Sequence, residues 1–231
     1  MTEHYAEDYS LFMGIVDLVP VILFALAGCI LIKELFNKLK KPFAVMLCSG
    51  VTLSLTAGVF KAIWKILLSL NVCDFYPFDV MFMPTQSLGF VLMGIGLLSL
   101  LFEKKQASVA NVNALPLLLF LPTLAVAARP ENGSMVFIAL LVIGELMIAT
   151  SLSYLAIKNK NWLCLVLFIV SCVALIVMGA MKPISEKSGM NVTTANWVEE
   201  AINIIAQGTL LVGAYLLGKK GFLAFKEPIE S

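Results

Sequence analysis

The chain has 231 residues, 60% of them hydrophobic and 13% charged, and its 16 Lys and Arg nearly balance 15 Asp and Glu. A soluble domain averages about 45–50% apolar and about 25% charged residues, so this composition excludes an ordinary soluble domain. It marks an all-α integral membrane protein, expected to form one transmembrane domain over residues 1–231, with the lipid bilayer as its surroundings and no nucleic-acid partner.

The first ten residues, MTEHYAEDYS, carry three acids and no Lys or Arg. A secretory signal begins with a positive region, and the first cation here is Lys33. The first apolar segment is therefore expected to stay in the protein as a helix. A helix needs about 20 apolar residues to cross a bilayer, and seven segments qualify, at 12–35, 43–66, 79–102, 113–129, 135–157, 161–182 and 196–218. The fourth is the shortest, and Pro116 and Pro122 predict a kink in it. Lys33, Lys38, Lys40 and Lys41 follow the first segment, Lys104 and Lys105 the third, Lys158 and Lys160 the fifth, and Lys219, Lys220 and Lys226 the seventh. The excess of cations on one side places the N-terminus outside and the C-terminus inside. Two Asn-x-Ser/Thr triplets, at Asn132 and Asn191, fall in expected outer loops and would accept sugar only in a eukaryotic secretory pathway. The Lys-rich, Arg-poor composition points to a bacterial plasma membrane.

A polar pattern occurs twice. Gly58, Lys61, Asp79 and Gln86 recur as Gly179, Lys182, Glu200 and Gln207, each 121 residues after its counterpart (58 to 179). The register predicts a parallel internal repeat, 3+1+3, with a first three-helix unit over 1–103, a linker helix at 113–129 and a second unit over 135–220. The first helices of the two units align poorly, with Asp17 opposite Ile138. This plan resembles that of the SWEET and PQ-loop sugar and amino-acid transporters, and is similar to that of the PnuC vitamin-precursor transporters. The resemblance is architectural: the adjacent Pro-Gln pair of the PQ-loop family is replaced by Pro84-Thr85-Gln86. It implies a small-solute transporter with a site between the units. Microbial opsins share the helix number and orientation, but their retinal lysine belongs mid-way along the seventh helix, and the stretch from Ala201 to Gly218 contains none.

Charged groups are expensive in hydrocarbon and usually face a protein interior or the interface. Asp17 lies one turn into the first helix, and Lys61 and Lys65 lie at the outer end of the second. Asp79 opens the third helix, with Gln86 seven residues deeper on the same face, and Lys182 ends the sixth. Glu200, Asn203 and Gln207 form a stripe on the seventh, because positions three, four and seven apart share a helix face. Gly50, Ser54 and Gly58 form a small-residue row that permits close helix contact and aims Lys61 toward protein. Lys61 and Lys182 are expected either to snorkel to the headgroups or to pair with Asp79 or Glu200 at the rim of a pocket. Glu145 lies near the middle of the fifth helix, where a carboxylate costs roughly 2.5–3.5 kcal/mol on insertion scales. It is read as a proton-coupling group or ligand contact, against a purely structural hydrogen bond. Trp64, Trp162 and Trp197 fit aromatic belts at helix ends.

Five cysteines without a CxxC pair and a single histidine, His4 in the acidic tail, argue against a disulfide framework, a metal site or a histidine-based catalytic group. No cofactor and no enzymatic activity are expected. The leading reading is a small-solute transporter whose ligand contacts are drawn from Asp17, Lys61, Asp79, Gln86, Glu145, Lys182, Glu200, Asn203 and Gln207. The alternatives are a seven-helix ligand-binding sensor that needs a separate signalling partner, and an intramembrane lipid-modifying enzyme. Assembly as a homo-oligomer is compatible with the sequence.

Overall fold

The computed structural model describes residues 10–101 and 133–220, with the backbone alone for residues 133, 134, 182, 183 and 186. These residues fold as α-helices, without a strand among them. The helices are α1 (Leu11–Val16), α2 (Leu18–Leu35), α3 (Lys41–Ser69), α4 (Tyr76–Leu98), α5 (Gly133–Lys158), α6 (Trp162–Gly179), α7 (Met181–Ser188) and α8 (Val192–Lys219). A short 3-10 turn at Phe36–Lys38 follows α2. Six helical stretches among the described residues are long and apolar enough to cross a membrane, α1 and α2 together making the first. They match six of the seven expected segments to within a few residues. The expected span at 113–129 and the Asn132 triplet lie outside the described residues.

The outer faces are apolar. Ile15, Val19, Ile22 and Leu26 form an exposed row on the first span, and Leu163, Val166, Ile169, Val173 and Val177 form another on α6. Such rows would be costly in water and suit lipid. The polar groups go inward, the reverse of a soluble bundle. The architecture is therefore that of a multi-pass membrane protein.

Around the bundle the neighbours run α2, α3, α4, α5, α6, α8 and back to α2, a closed ring of six. Glycine contacts fix the directions. Gly50 of α3 meets Gly89 and Met93 of α4, and Gly96 meets Phe43 and Leu47, so α3 and α4 are antiparallel. Gly144 of α5 lies against Phe90 and Val91, and Gly94 against Gly144 and Met147, so α4 and α5 run in the same direction. Gly208 of α8 faces Leu23 and Gly218 faces Ile30 and Glu34, which makes α2 and α8 parallel as well. The small-residue row anticipated on α3 is used as expected: Gly50 and Ser54 seat α4 at Gly89, while Gly58 receives Val21 of α2.

Two local features concern the spans that carry Asp17 and Lys182. The first span breaks at Asp17, between α1 and α2. Pro20 has no N–H for the carbonyl four residues earlier, at Val16, so the helical ladder is interrupted there. Ser10 caps α1, its Oγ accepting from the Met13 N–H at 3.1 Å. The second concerns Lys182, which, contrary to expectation, does not end the sixth membrane helix. That helix stops at Gly179, and Lys182 is the second residue of α7, a separate short helix that ends at Gly189 in the left-handed conformation (φ 66°). Pro183 again lacks the N–H that would continue the ladder to Gly179.

The two ends of the ring differ in chemistry. Toward the Lys-rich end the core is apolar, packed by Leu31, Leu35, Leu97, Leu100, Leu152, Leu155 and Leu217. Toward the opposite end, where α1, α3 and α8 meet, buried charge appears.

Candidate functional site

The site begins with Lys65, near the end of α3. Its Nζ lies 2.6 Å from Asp17 Oδ2 and 3.1 Å from Glu200 Oε1. All three residues are buried: Asp17 is 5% exposed, Lys65 4% and Glu200 7%. Each comes from a different helical element. Asp17 lies at the junction of α1 and α2. Lys65 follows Ser54, Gly58 and Lys61 along one face of α3. Glu200 lies two turns into α8, whose first turn is capped by Asn191, its Oδ1 accepting from the Thr193 N–H at 2.9 Å.

The ammonium thus holds two carboxylates together inside apolar surroundings. A buried pair of this kind adds little net stability over an apolar packing, but removing one partner strands the other charge. Asp17 Oδ1 and Glu200 Oε2 are buried and accept no hydrogen bond from an N–H group among the described residues, while the two carboxyl groups lie within hydrogen-bond reach of each other.

From Glu200 the polar stripe runs down α8 as expected. Gln207, 4% exposed, donates through Nε2 to Asn203 Oδ1 at 3.3 Å, and its Oε1 is buried without a donor among the described residues. In the other direction the stripe reaches Asn196, one turn before Glu200, whose Nδ2 is also buried without an acceptor among the described residues. Asn196 was not singled out by the sequence, although its spacing of four from Glu200 and seven from Asn203 places it on the same face.

Of the two expectations for Lys61, snorkelling or pairing, the described residues show no direct ion pair with Asp79 or Glu200. Lys61 is half-buried, with Nζ 4.2 Å from the centroid of the Phe82 ring on α4, a cation–π contact. It remains within electrostatic reach of Lys65, Asp17, Glu199 and Glu200. The residue that makes the ion pair is Lys65, one turn closer to the helix end. The available signal was that Lys65 lies four residues after Lys61 and eleven after Ser54, and so shares their face.

Asp79 is half-buried in the first turn of α4, where an acid suits the positive end of the helix dipole. Gln86 is half-buried two turns further along α4. Glu145 is elsewhere in the bundle. It is 2% exposed on α5, adjacent to Gly144 at the crossing with α4, and within electrostatic reach of Cys172 on α6. It forms a second buried acidic position, separate from the Lys65 cluster.

The ends of the bundle near the cluster are tied by aromatics. Trp64 is buried rather than set in a belt, and its Nε1–H donates to Asp74 Oδ1 at 2.9 Å, tethering the connection between α3 and α4. Phe12 packs on Trp197 with ring centroids 5.7 Å apart, joining α1 to α8 above Glu200. Trp162, in contrast, is exposed as a belt residue would be.

Among the described residues no group of three or more His, Cys, Asp or Glu is arranged to hold a metal ion. Compared with known proteins, the chain matches no described protein family, no curated protein and no solved structure.

Proposed function

We propose that the chain is a small-solute transporter of the plasma membrane, built from two three-helix units, α2–α3–α4 and α5–α6–α8, with its binding site on the seam between them. One observation carries this reading: Lys65 and Asp17 of the first unit hold Glu200 of the second. An ion pair across a seam is a contact that a rocking motion breaks and that a charged ligand can replace. Gln207 Oε1, buried without a donor among the described residues, supplies a ligand contact two turns further along α8.

The two-unit plan is supported by the order and direction of the helices. Within each unit the middle helix opposes its neighbours, and the units meet at two parallel seams, α4 with α5 and α8 with α2. A two-fold axis along the membrane normal requires that arrangement. Contact register explains the weak match between the first helices of the two units. Gly58 meets Val21, whereas Gly179 meets Ile138. The offset is 121 for the glycines (58 to 179) and 117 for their partners (21 to 138), a difference of about one helical turn. In that register Glu145 takes the place of Gly28, so the second unit alone carries an acid at that position. We assign it the coupling role.

The orientation follows from the Lys-rich loops, which place the polar end outside and the apolar leucine end inside. The test is solute uptake into proteoliposomes across a metabolite panel. Wild-type protein should take up at least one solute, with uptake lost in Lys65→Ala and reduced at least about tenfold in Gln207→Leu. Absence of any flux, together with a stable complex with a cytoplasmic regulator, would replace transport by sensing.

A further inference from the structure

The two acids of the cluster meet each other as well as Lys65. The ammonium is 2.6 Å from Asp17 Oδ2 and 3.1 Å from Glu200 Oε1, and the carboxyl groups are within hydrogen-bond reach of one another. An ionised carboxylate only accepts hydrogen bonds, so two of them cannot bond together. A carboxyl group that keeps its proton donates, and the contact then becomes a bond. Asp17 Oδ1 and Glu200 Oε2 are buried and accept from no N–H group among the described residues, so a donor within the pair is what its oxygens lack. Charge leads to the same count. Two carboxylates against one ammonium carry a net charge of minus one, which is costly to bury, and one proton brings the cluster to neutrality. Like charges so close do not both ionise.

The surroundings leave that count unchanged. The further charges around the cluster are Lys61 on α3 and Glu199 on α8, opposite in sign. Neither α1 nor α6 contains an Asp, Glu, Lys or Arg, and α2 has none before Lys33 at its other end. Asp79 stands in the first turn of α4, and α7 carries Lys182, Glu186 and Lys187.

We infer that Asp17 and Glu200 share one proton, which makes the contact between the α1–α2 junction and α8 a proton-binding acid pair held against Lys65. A consequence rests on the transport reading above. Asp17 and Lys65 belong to one three-helix unit and Glu200 to the other, so opening the seam leaves Asp17 with Lys65 as a neutral pair and parts Glu200 from both. The O–H bond of the shared proton breaks, water takes the proton, and Glu200 is left as a carboxylate. Closing reverses the step. The closed form holds the proton that the open form releases, so acid favours closure and rising pH favours opening. Glu145 lies away from the cluster and takes no part in this step.

The proton is tested on the full chain in lipid nanodiscs, with Glu145→Gln as background so that Glu145 adds no acid signal. Infrared spectra at neutral pH should show a protonated-carboxyl C=O band, displaced in D2O, that disappears in Glu200→Gln and in Asp17→Asn. Each of these variants leaves one acid against one ammonium, which needs no proton. Thermal unfolding gives the second readout. Unfolding releases the proton, so stability is fullest in acid, and the unfolding temperature should fall by 3 °C or more between pH 6 and pH 9, all three being about values. Either single amide variant should lose at least about half of that pH dependence and match the background protein near neutrality. Asp17→Asn with Glu200→Gln strands Lys65 and should be far less stable than either alone. Should one single variant fail to fold, the other carries the comparison. Should Glu145→Gln fail, the difference between wild type and each single variant carries it. A band that survives both substitutions, a pH dependence that neither changes, or single variants as unstable as the double would each overturn the inference. Band and pH dependence without flux of any solute would keep the proton and remove transport. Uptake of a solute by a protein that shows neither would sink the inference and leave the transporter intact.

Discussion

Lys61 and Lys65 have the same charge, the same helix face and a separation of one turn, yet their surroundings give them different work. Lys65 is buried and holds two carboxylates, whereas Lys61 is half-buried against the Phe82 ring. Truncation should separate them. Lys65→Met leaves Asp17 and Glu200 buried without their cation, and a loss of about 3–5 kcal/mol is expected for breaking a buried pair from one side. Lys61→Met loses a cation–π contact worth roughly 0.5–2 kcal/mol. Chemical unfolding in detergent measures both, and equal losses would show that the Lys65 pair does not anchor the helices. Glu145 contrasts with both lysines. Its position opposite Cys172 is set by the crossing of α5 and α6 and lies away from the charge cluster.

At the scale of the helices, close approach governs the fold more than hydrophobic area does, because lipid competes with protein for apolar contacts. The crossing of α3 and α4 is the tightest case. A Cβ on Gly50 would lie 2.5 Å from the Met93 nitrogen and 2.6 Å from the Gly89 oxygen, both backbone atoms that cannot turn aside. Gly50→Ala should destabilise by about 1–3 kcal/mol through overpacking. Gly208→Ala is the control. Its nearest neighbour is Leu23 Cδ1 at 4.0 Å, and losing a helical glycine gains roughly 0.5–1 kcal/mol. Thermal unfolding of the two variants should move in opposite directions. A Gly50→Ala protein as stable as wild type would mean that α3 and α4 can separate without penalty. Proline acts on this scale too: Pro20 breaks the first span where Asp17 sits, and Pro183 separates Lys182 from the sixth span.

For the whole molecule, the closed ring with two parallel seams makes orientation a measurable property. Cys73 is exposed in the connection between α3 and α4, at the polar end. A membrane-impermeant maleimide should label it from outside in intact cells. A cysteine introduced by Asn159→Cys, in the turn between α5 and α6, should react only after permeabilisation. Labelling in the reverse order would invert the proposed orientation and place the charge cluster inside.

The amino-acid sequence by itself determined the membrane class, six described spans and the polar stripe on α8. Each of these depends on local periodicity or on a length fixed by the bilayer. It also gave the small-residue row on α3, since close helix contact needs glycine or serine at that spacing. It did not determine which lysine pairs with which acid. Lys61 and Lys65 share a face, so periodicity cannot choose between them. The level of α2 against α3 decides: Gly58 meets Val21, Gly14 meets Ile66, and Asp17 between them is carried up to Lys65. The same reasoning applies to Glu200, which reaches Lys65 only because α8 closes the ring beside α2. Those pairings depend on contacts between residues far apart in the chain, set by side-chain packing at helix crossings, and only the tertiary structure could decide them.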